Sequence, residues 1–333
     1  MKKLVLLIGI IILLCGCGRE KYTTEYFDVF DTYSTLTIYT KDKEMADAVS
    51  NELHKELLSL NKKFDIYNSY EDINNIKTIN DNAGIKAVKV DSETLDLIKK
   101  GKEAYTKTNG TVNIALGSVL KIWHNYRTNA LDNNIYAIPS QTELENANKH
   151  TDINSIIIDE KNSSIYIEDK ETSIDVGAIA KGYAADYAAE FLKEKGITAA
   201  LLNLGGNVIA LTDKTKESWK TGVISPDNSS EYIAAIDLSN ESAVTSGNYQ
   251  RYYEYEGKKY HHIIDNKTLF PSEYNKGVTV VAESSLDGDM FSTALFILPY
   301  QEGIKLAENN NIKAMWITSD NKEYRTPDFS AEN

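Results

Sequence analysis

Four short stretches of this chain combine residue types that plain structure does not require. In Asp175-Val-Gly-Ala-Ile-Ala-Lys-Gly-Tyr-Ala-Ala-Asp186, Gly177 and Gly182 surround Lys181 at the beginning of a helix. Small residues let a ligand approach the backbone, and a helix N-terminus beside a cation suits phosphate. Tight helix packing explains the same glycines. In Leu202-Asn203-Leu204-Gly205-Gly206-Asn207-Val208 a strand leads into two glycines flanked by Asn203 and Asn207. Backbone N–H groups and side-chain amides there can bind a ligand, or can simply make a turn of the Asn-Gly type. The spacing is not the G-x-G-x-x-G of a dinucleotide-binding βαβ unit.

The third stretch is Thr245-Ser246-Gly247-Asn248-Tyr249, followed by Tyr260-His261-His262-Ile263-Ile264-Asp265. On a strand His261 and His262 point to opposite faces and cannot serve one metal. Zinc would need further ligands, and His54, His124 and His150 have no matching spacing. One histidine of the pair can face a site as a proton-transfer group, with a structural strand histidine as the alternative. The fourth stretch, Ser285-Leu-Asp-Gly-Asp289-Met-Phe-Ser-Thr293, places Asp289 and Thr293 four apart on one helix face. A carboxylate, a hydroxyl and neighbouring carbonyls are hard oxygen ligands suited to Mg²⁺. Helix capping by Asp287 or Asp289 is the alternative. An EF-hand is excluded, because Leu298 stands where that loop needs its last Glu.

These stretches need elements to position them. Met45, Val49, Leu53, Leu57, Leu60 and Phe64 recur at three- and four-residue spacing and predict a helix over 43–63. A second helix covers 92–107 behind Asp91 and Ser92, and Ser140 to Glu143 makes a capping box. Residues 178–195 read as a helix ended by Gly196, and 284–298 as an apolar helix ended by Pro299. Strands are expected at 35–39, 198–202, 232–238, 251–254, 259–264, 278–282 and 312–318, with a hairpin over 153–168. Hairpins are frequent and strict βαβ alternation is missing. The fold class is therefore α+β, one large catalytic unit with mixed or antiparallel sheets and flanking helices, over residues 27–325.

The chain has 333 residues, 36 basic against 49 acidic, and a net charge of −13. With 42% hydrophobic and 26% charged residues it is a folded globular protein. The acidic balance excludes a nucleic-acid binder, which needs a basic face. The only cysteines are Cys15 and Cys17. Lys2-Lys3 and the apolar run Leu4 to Leu14 read as a secretory signal, too short to span a bilayer. Leu14-Cys15-Gly16-Cys17 resembles a bacterial lipobox, with residues 1–16 removed and Cys17 lipidated. That cleavage takes Lys2 and Lys3 away and lowers −13 to −15. Disulfides and thiol catalysis are then excluded, and residues 17–26 read as a polar tether.

Taken in order, DVGAIAKGYAAD, LNLGGNV, TSGNYQRYY, YHHIIDN and DGDMFSTA resemble the FAD:protein FMN transferase, or ApbE, family. So do FDIYNSYEDINNI, GIKAVKVDSET and LGSVLKIWHNYR, which extends the resemblance from about Phe27 to Thr318. It implies transfer of the FMN half of FAD to a Ser or Thr hydroxyl of an acceptor protein, with Mg²⁺ and release of AMP. The acceptor would be an extracytoplasmic flavoprotein of a membrane electron-transfer system, and the chain a lipid-anchored envelope protein. By the same resemblance Asp289, Thr293 and the Ala180 carbonyl hold metal, and His262 acts on the incoming hydroxyl. Tyr67, Asp175, Lys181, Asn203, Gly205, Gly206, Asn207, Thr245, Ser246, Gly247 and His262 would bind the nucleotide. The family's Pro and Thr-Gly after Asp265 are replaced here by Asn266-Lys267-Thr268-Leu269, and an expected Asp is Asn113. The alternatives are an Mg²⁺-dependent FAD pyrophosphatase and a non-catalytic flavin-binding lipoprotein.

Overall fold

A computed structural model describes residues 18–332. The signal segment and Cys17 lie outside the described residues. The fold is built on an eight-stranded antiparallel sheet whose strands lie in chain order: Glu20–Val29, Thr32–Thr40, Ala200–Leu204, Asn207–Leu211, Ser242–Gly247, Asn275–Ala282, Lys313–Thr318 and Glu323–Arg325. Long insertions separate several sheet neighbours in sequence, the longest between Thr40 and Ala200. Among the described residues no helix is long and apolar enough to cross a membrane. The α+β expectation holds.

Period-two alternation gives the sheet two buried faces. In the all-buried strand Asn207–Leu211, Ile209 and Leu211 enter one core while Val208 and Ala210 enter another. The first core lies under the helices Lys43–Phe64, Ala180–Glu194 and Ser285–Ile297. The second lies under the hairpin Trp219–Ile224/Tyr232–Leu238, with Trp219, Ile236 and Leu238. A third cluster joins the helix Gly117–Asn133 to the hairpin Tyr252–Tyr255/Lys258–His261 through Trp123, Tyr253 and Tyr260.

The spaced hydrophobics form the Lys43–Phe64 helix, capped by the Asp42 side chain on the Met45 N–H at 2.9 Å. Ser140 caps Gln141–Asn148 as the capping-box pattern implies, at 3.2 Å from the Glu143 N–H. One reading fails. Residues 20–26, expected as tether, belong to the edge strand Glu20–Val29, paired in register with Thr32–Thr40. One face of that strand is wet, so its polarity imitates a linker. Tyr26 faces inward and donates to the Ser50 carbonyl at 2.9 Å. The strand expected at 259–264 also stops at His261, and the helix expected from 178 begins at Ala180.

Candidate active site

The chemistry-bearing stretches meet around a cavity of about 810 Å³, within the usual size of ligand sites. Its floor is a crossing of two helices. Gly182, in the first turn of Ala180–Glu194, lies against Ser285–Ile297 so closely that a Cβ there would sit 2.5 Å from the Ser285 carbonyl oxygen. It would also be 2.7 Å from Leu286 Cα and 2.8 Å from Asp289 Cβ. The contact lets the Gly182 N–H donate to Asp289 Oδ2 at 2.9 Å. Asp186, which ends the same motif, caps the partner helix through the Ser285 and Leu286 N–H groups and the Ser284 hydroxyl. The first motif therefore packs two helices and aims Asp289.

Asp289 is 4% exposed and lines the cavity. Its Oδ1 has no hydrogen-bond partner among the described residues. Thr293, one turn on, shares that wall with Ala178, Ala180, Thr245, Ser246 and Gly247. Ser292 donates to the Asp289 carbonyl at 3.1 Å, so the Ser246 hydroxyl donates to Ser292 Oγ at 2.9 Å and can only accept from Thr293 Oγ1 at 3.4 Å. Among the described residues no three His, Cys, Asp or Glu side chains gather to hold a metal. The available set is one carboxylate oxygen, one hydroxyl and backbone carbonyls. That set fits a hard cation completed by phosphate and water, such as Mg²⁺, and not zinc.

Lys181 also lines the cavity. Its ammonium donates to Asn207 Oδ1 and reaches the Gly205 carbonyl at 3.5 Å, and makes no pair with Asp175. Burial pushes this lysine down, and the Asp289 carboxylate opposes that shift. Of the double-glycine segment, Gly205 alone lines the cavity. It sits at φ +56° with Thr32 against its open side, and a Cβ would meet that side chain at 2.5 Å. Asn203 is occupied in the turn, accepting the Gly206 N–H at 2.9 Å. Asn207 is fully buried behind Lys181, with its Nδ2 unpaired. Asn203, Gly206 and Asn207 thus shape the turn and do not reach the cavity.

On the opposite wall His261 and His262 separate as the alternation requires. Buried His261 donates from Nε2 to the Ser272 carbonyl at 2.8 Å and accepts the Ile263 N–H on Nδ1, which uses both nitrogens. His262 lies just past the strand and lines the cavity. Its Nδ1 is 3.3 Å from the Arg251 carbonyl, which can only accept. Nδ1 therefore carries the proton and Nε2 presents its lone pair. Burial first, then the charge of Arg251, holds His262 down to about 3. The ring is a neutral base at physiological pH.

Tyr67 is 51% exposed at the mouth, stacked on His124 at 4.6 Å between ring centres, with its hydroxyl 3.2 Å from His124 Nδ1. Burial of that hydroxyl and the nearby Asp175 carboxylate push Tyr67 up to about 12. Asp175 accepts the Gly177 N–H at 2.8 Å. Burial raises its pKa, against the pull of that N–H and of Arg251 and Arg127. Sequence reasoning assigned no chemistry to Arg127, Arg251 or His124, yet all three line the cavity. The signal was present on the helix: Leu120, Trp123, His124 and Arg127 follow the i, i+3, i+4, i+7 rule and share the face that meets the cavity.

Comparison with known proteins follows the same outline. A model described as the ApbE family matches residues 30–316. An FAD:protein FMN transferase of Klebsiella pneumoniae is 31% identical, over 85% of each chain. One of Treponema pallidum is 28% identical, over 95% of this chain and 91% of its own. The crystal structure of the ApbE protein of Thermotoga maritima superposes with a TM-score of 0.84 at 27% identity, covering 93% of this chain and 98% of that one.

Proposed function

The chain belongs to the ApbE family, and we propose that its cavity is where FAD is divided between an acceptor protein and AMP. The enzyme is an FAD:protein FMN transferase. The observation that carries this reading is the pairing of an open Asp289 oxygen with the free Nε2 of His262 across one dinucleotide-sized cavity. A Ser or Thr hydroxyl of the acceptor attacks the phosphorus of the FMN half. The new O–P bond forms as the P–O bond to the AMP phosphate breaks, and the hydroxyl proton passes to His262 Nε2. The products are a phosphodiester-linked flavoprotein and AMP. Arg127, Arg251 and Lys181 place positive charge around a dianionic pyrophosphate in a chain of net −13.

Asp289, Thr293 and the Ala180 carbonyl would hold Mg²⁺. Bound there, the ion would supply the charge that the transferring phosphoryl group and the leaving oxygen require. Tyr67 offers its outer ring face to the flavin or adenine, and Thr245, Ser246 and Gly247 offer hydroxyl and backbone groups to the phosphates. The Lys2 to Cys17 pattern supports lipid anchoring at Cys17 on the extracytoplasmic face of a membrane, where the acceptor would be a membrane electron-transfer protein. Hydrolysis is the same displacement with water in place of the hydroxyl. The exposed Tyr67 leaves the mouth open to water when no acceptor covers it, so slow formation of free FMN and AMP is expected. The test mixes the chain without residues 1–17 with FAD, Mg²⁺ and an acceptor domain and takes intact mass. An acceptor gain of one FMN less water, lost in EDTA, supports transfer. Free FMN and AMP with an unmodified acceptor support the pyrophosphatase instead.

A further inference from the structure

We propose that a second cleft, on the other side of Thr111 from the nucleotide cavity, receives an acidic segment of the acceptor protein while its hydroxyl is presented to FAD. The proposal rests on the transferase reading. The cleft has a volume of about 430 Å³ and is lined by Tyr105, Asn109, Asn266, Lys267, Glu302 and Lys305, among others. It is separated from the nucleotide cavity by a partition that three chain segments cross. Gly110 faces the cleft, Val112 the cavity, and Thr111 between them lines both. Ile264 lines the cavity and Asn266 the cleft, and Ile297 lines the cavity and Leu298 the cleft. Asn266 Nδ2 donates to the Gly110 carbonyl at 2.6 Å and ties two of these segments together. His262, four residues before Asn266 on the same run, stands at the cavity end. An acceptor whose acidic segment lies in the cleft would present an adjoining hydroxyl across this partition to the cavity that holds His262.

The charge of the cleft selects the occupant. Lys267 meets Glu302 at 3.6 Å, but the two side chains are 71% and 56% exposed, so water weakens the pair. Lys305 has no ion-pair partner among the described residues. The cleft is therefore net positive on a chain with 49 acidic against 36 basic residues. A local positive site on an anionic surface repels little, attracts acidic segments and orients them during encounter. Its walls are otherwise amides, hydroxyls and backbone with Leu298 and Leu306 among them, a mixture that suits a peptide.

Fluorescein-labelled peptides with one Thr, flanked either by Asp or by Lys, test this on the FAD-loaded protein by anisotropy and by mass. The wild type is expected to bind the Asp peptide about tenfold more tightly than the Lys peptide. K267E/K305E should abolish that preference, whereas charge reversal of the exposed Lys43 and Lys193 should leave it intact. Equal binding of the two peptides by the wild type, or the same preference in K267E/K305E, would overturn the proposal. AMP release from FAD without peptide is followed in parallel. Its loss in K267E/K305E would also overturn it, because the lysines would then be acting on FAD. A wild type that adds no FMN to either peptide and releases no AMP in their presence would instead sink the transferase reading, and this proposal with it.

Discussion

The helix crossing at Gly182 makes a quantitative demand on the active site. A Cβ at this position would lie 2.5 Å from the Ser285 carbonyl oxygen, where ordinary contact begins at about 3.4 Å, so about 0.9 Å must be found. Two of its three nearest atoms are backbone, and no flexible side chain can swing away. Two effects oppose each other in Gly182→Ala. The alanine favours the helix by up to ~1 kcal/mol, less in a first turn than in an interior. The overpacking costs ~1–3 kcal/mol, and with backbone in the way its upper half applies. Packing wins, by ~1–2 kcal/mol. For a chain of this size the thermal midpoint falls by about 1.5–3 °C. The same displacement moves Asp289, which is tied to the Gly182 N–H, by roughly half the missing distance. A misplacement of this order lowers kcat/KM for FAD by roughly 10–100-fold. Calorimetry and AMP release under saturating Mg²⁺ measure the two effects on one preparation. A midpoint that rises, with kcat/KM within about threefold of wild type, would refute the account of this crossing.

Three further outcomes follow from the same geometry. Asp289→Asn keeps an acceptor for the Gly182 N–H but loses the charge, so FAD turnover should fall by at least ~10²-fold with the fold intact; a rate within about tenfold of wild type would remove Asp289 from metal binding. Lys181→Met deletes the bonds to Asn207 and Gly205 and leaves a buried amide unsatisfied, at ~1–3 kcal/mol; FAD titration should show KM rising more than kcat falls. Burial holds His261 at about 4 and His262 at about 3, below the ordinary 6.5 that both regain on unfolding. Their contribution to stability is thus complete above pH 6.5 and drains as pH falls towards 4 and then 3. Thermal midpoints measured from pH 7.5 downward should decline over that window, and less steeply in His261→Gln.

What the chain discloses in advance depends on whether a residue's task is local. The Lys43–Phe64 helix is legible because its periodicity and its Asp42 cap lie within one stretch. The separation of His261 from His262 is legible because alternation needs no knowledge of the partner strand. The edge strand Glu20–Val29 is not, because its inward residues, Tyr26 and Val29, are sparse among polar neighbours and only pairing with Thr32–Thr40 gives it order. The glycines show the same divide. Gly182 reads equally as a ligand cradle or as a packing contact until the Ser285–Ile297 helix is brought against it, and the packing contact then proves to be what sets Asp289 in place. Asn207 reads as a nucleotide contact from its place beside two glycines, but the ammonium of Lys181, 26 residues earlier, takes its oxygen. Arg127 and Arg251 lie in separate segments; Arg127 shares a helix face with Trp123 and His124, but nothing local joins it to Arg251. Their common pull on Asp175 and His262 exists only because the Trp123 cluster folds the Gly117–Asn133 helix against the Tyr252–His261 hairpin. The local motifs supply Asp289 and His262, and the tertiary contact at Trp123 brings Arg127 and Arg251 to the same cavity, where their charge adds to burial in keeping His262 neutral.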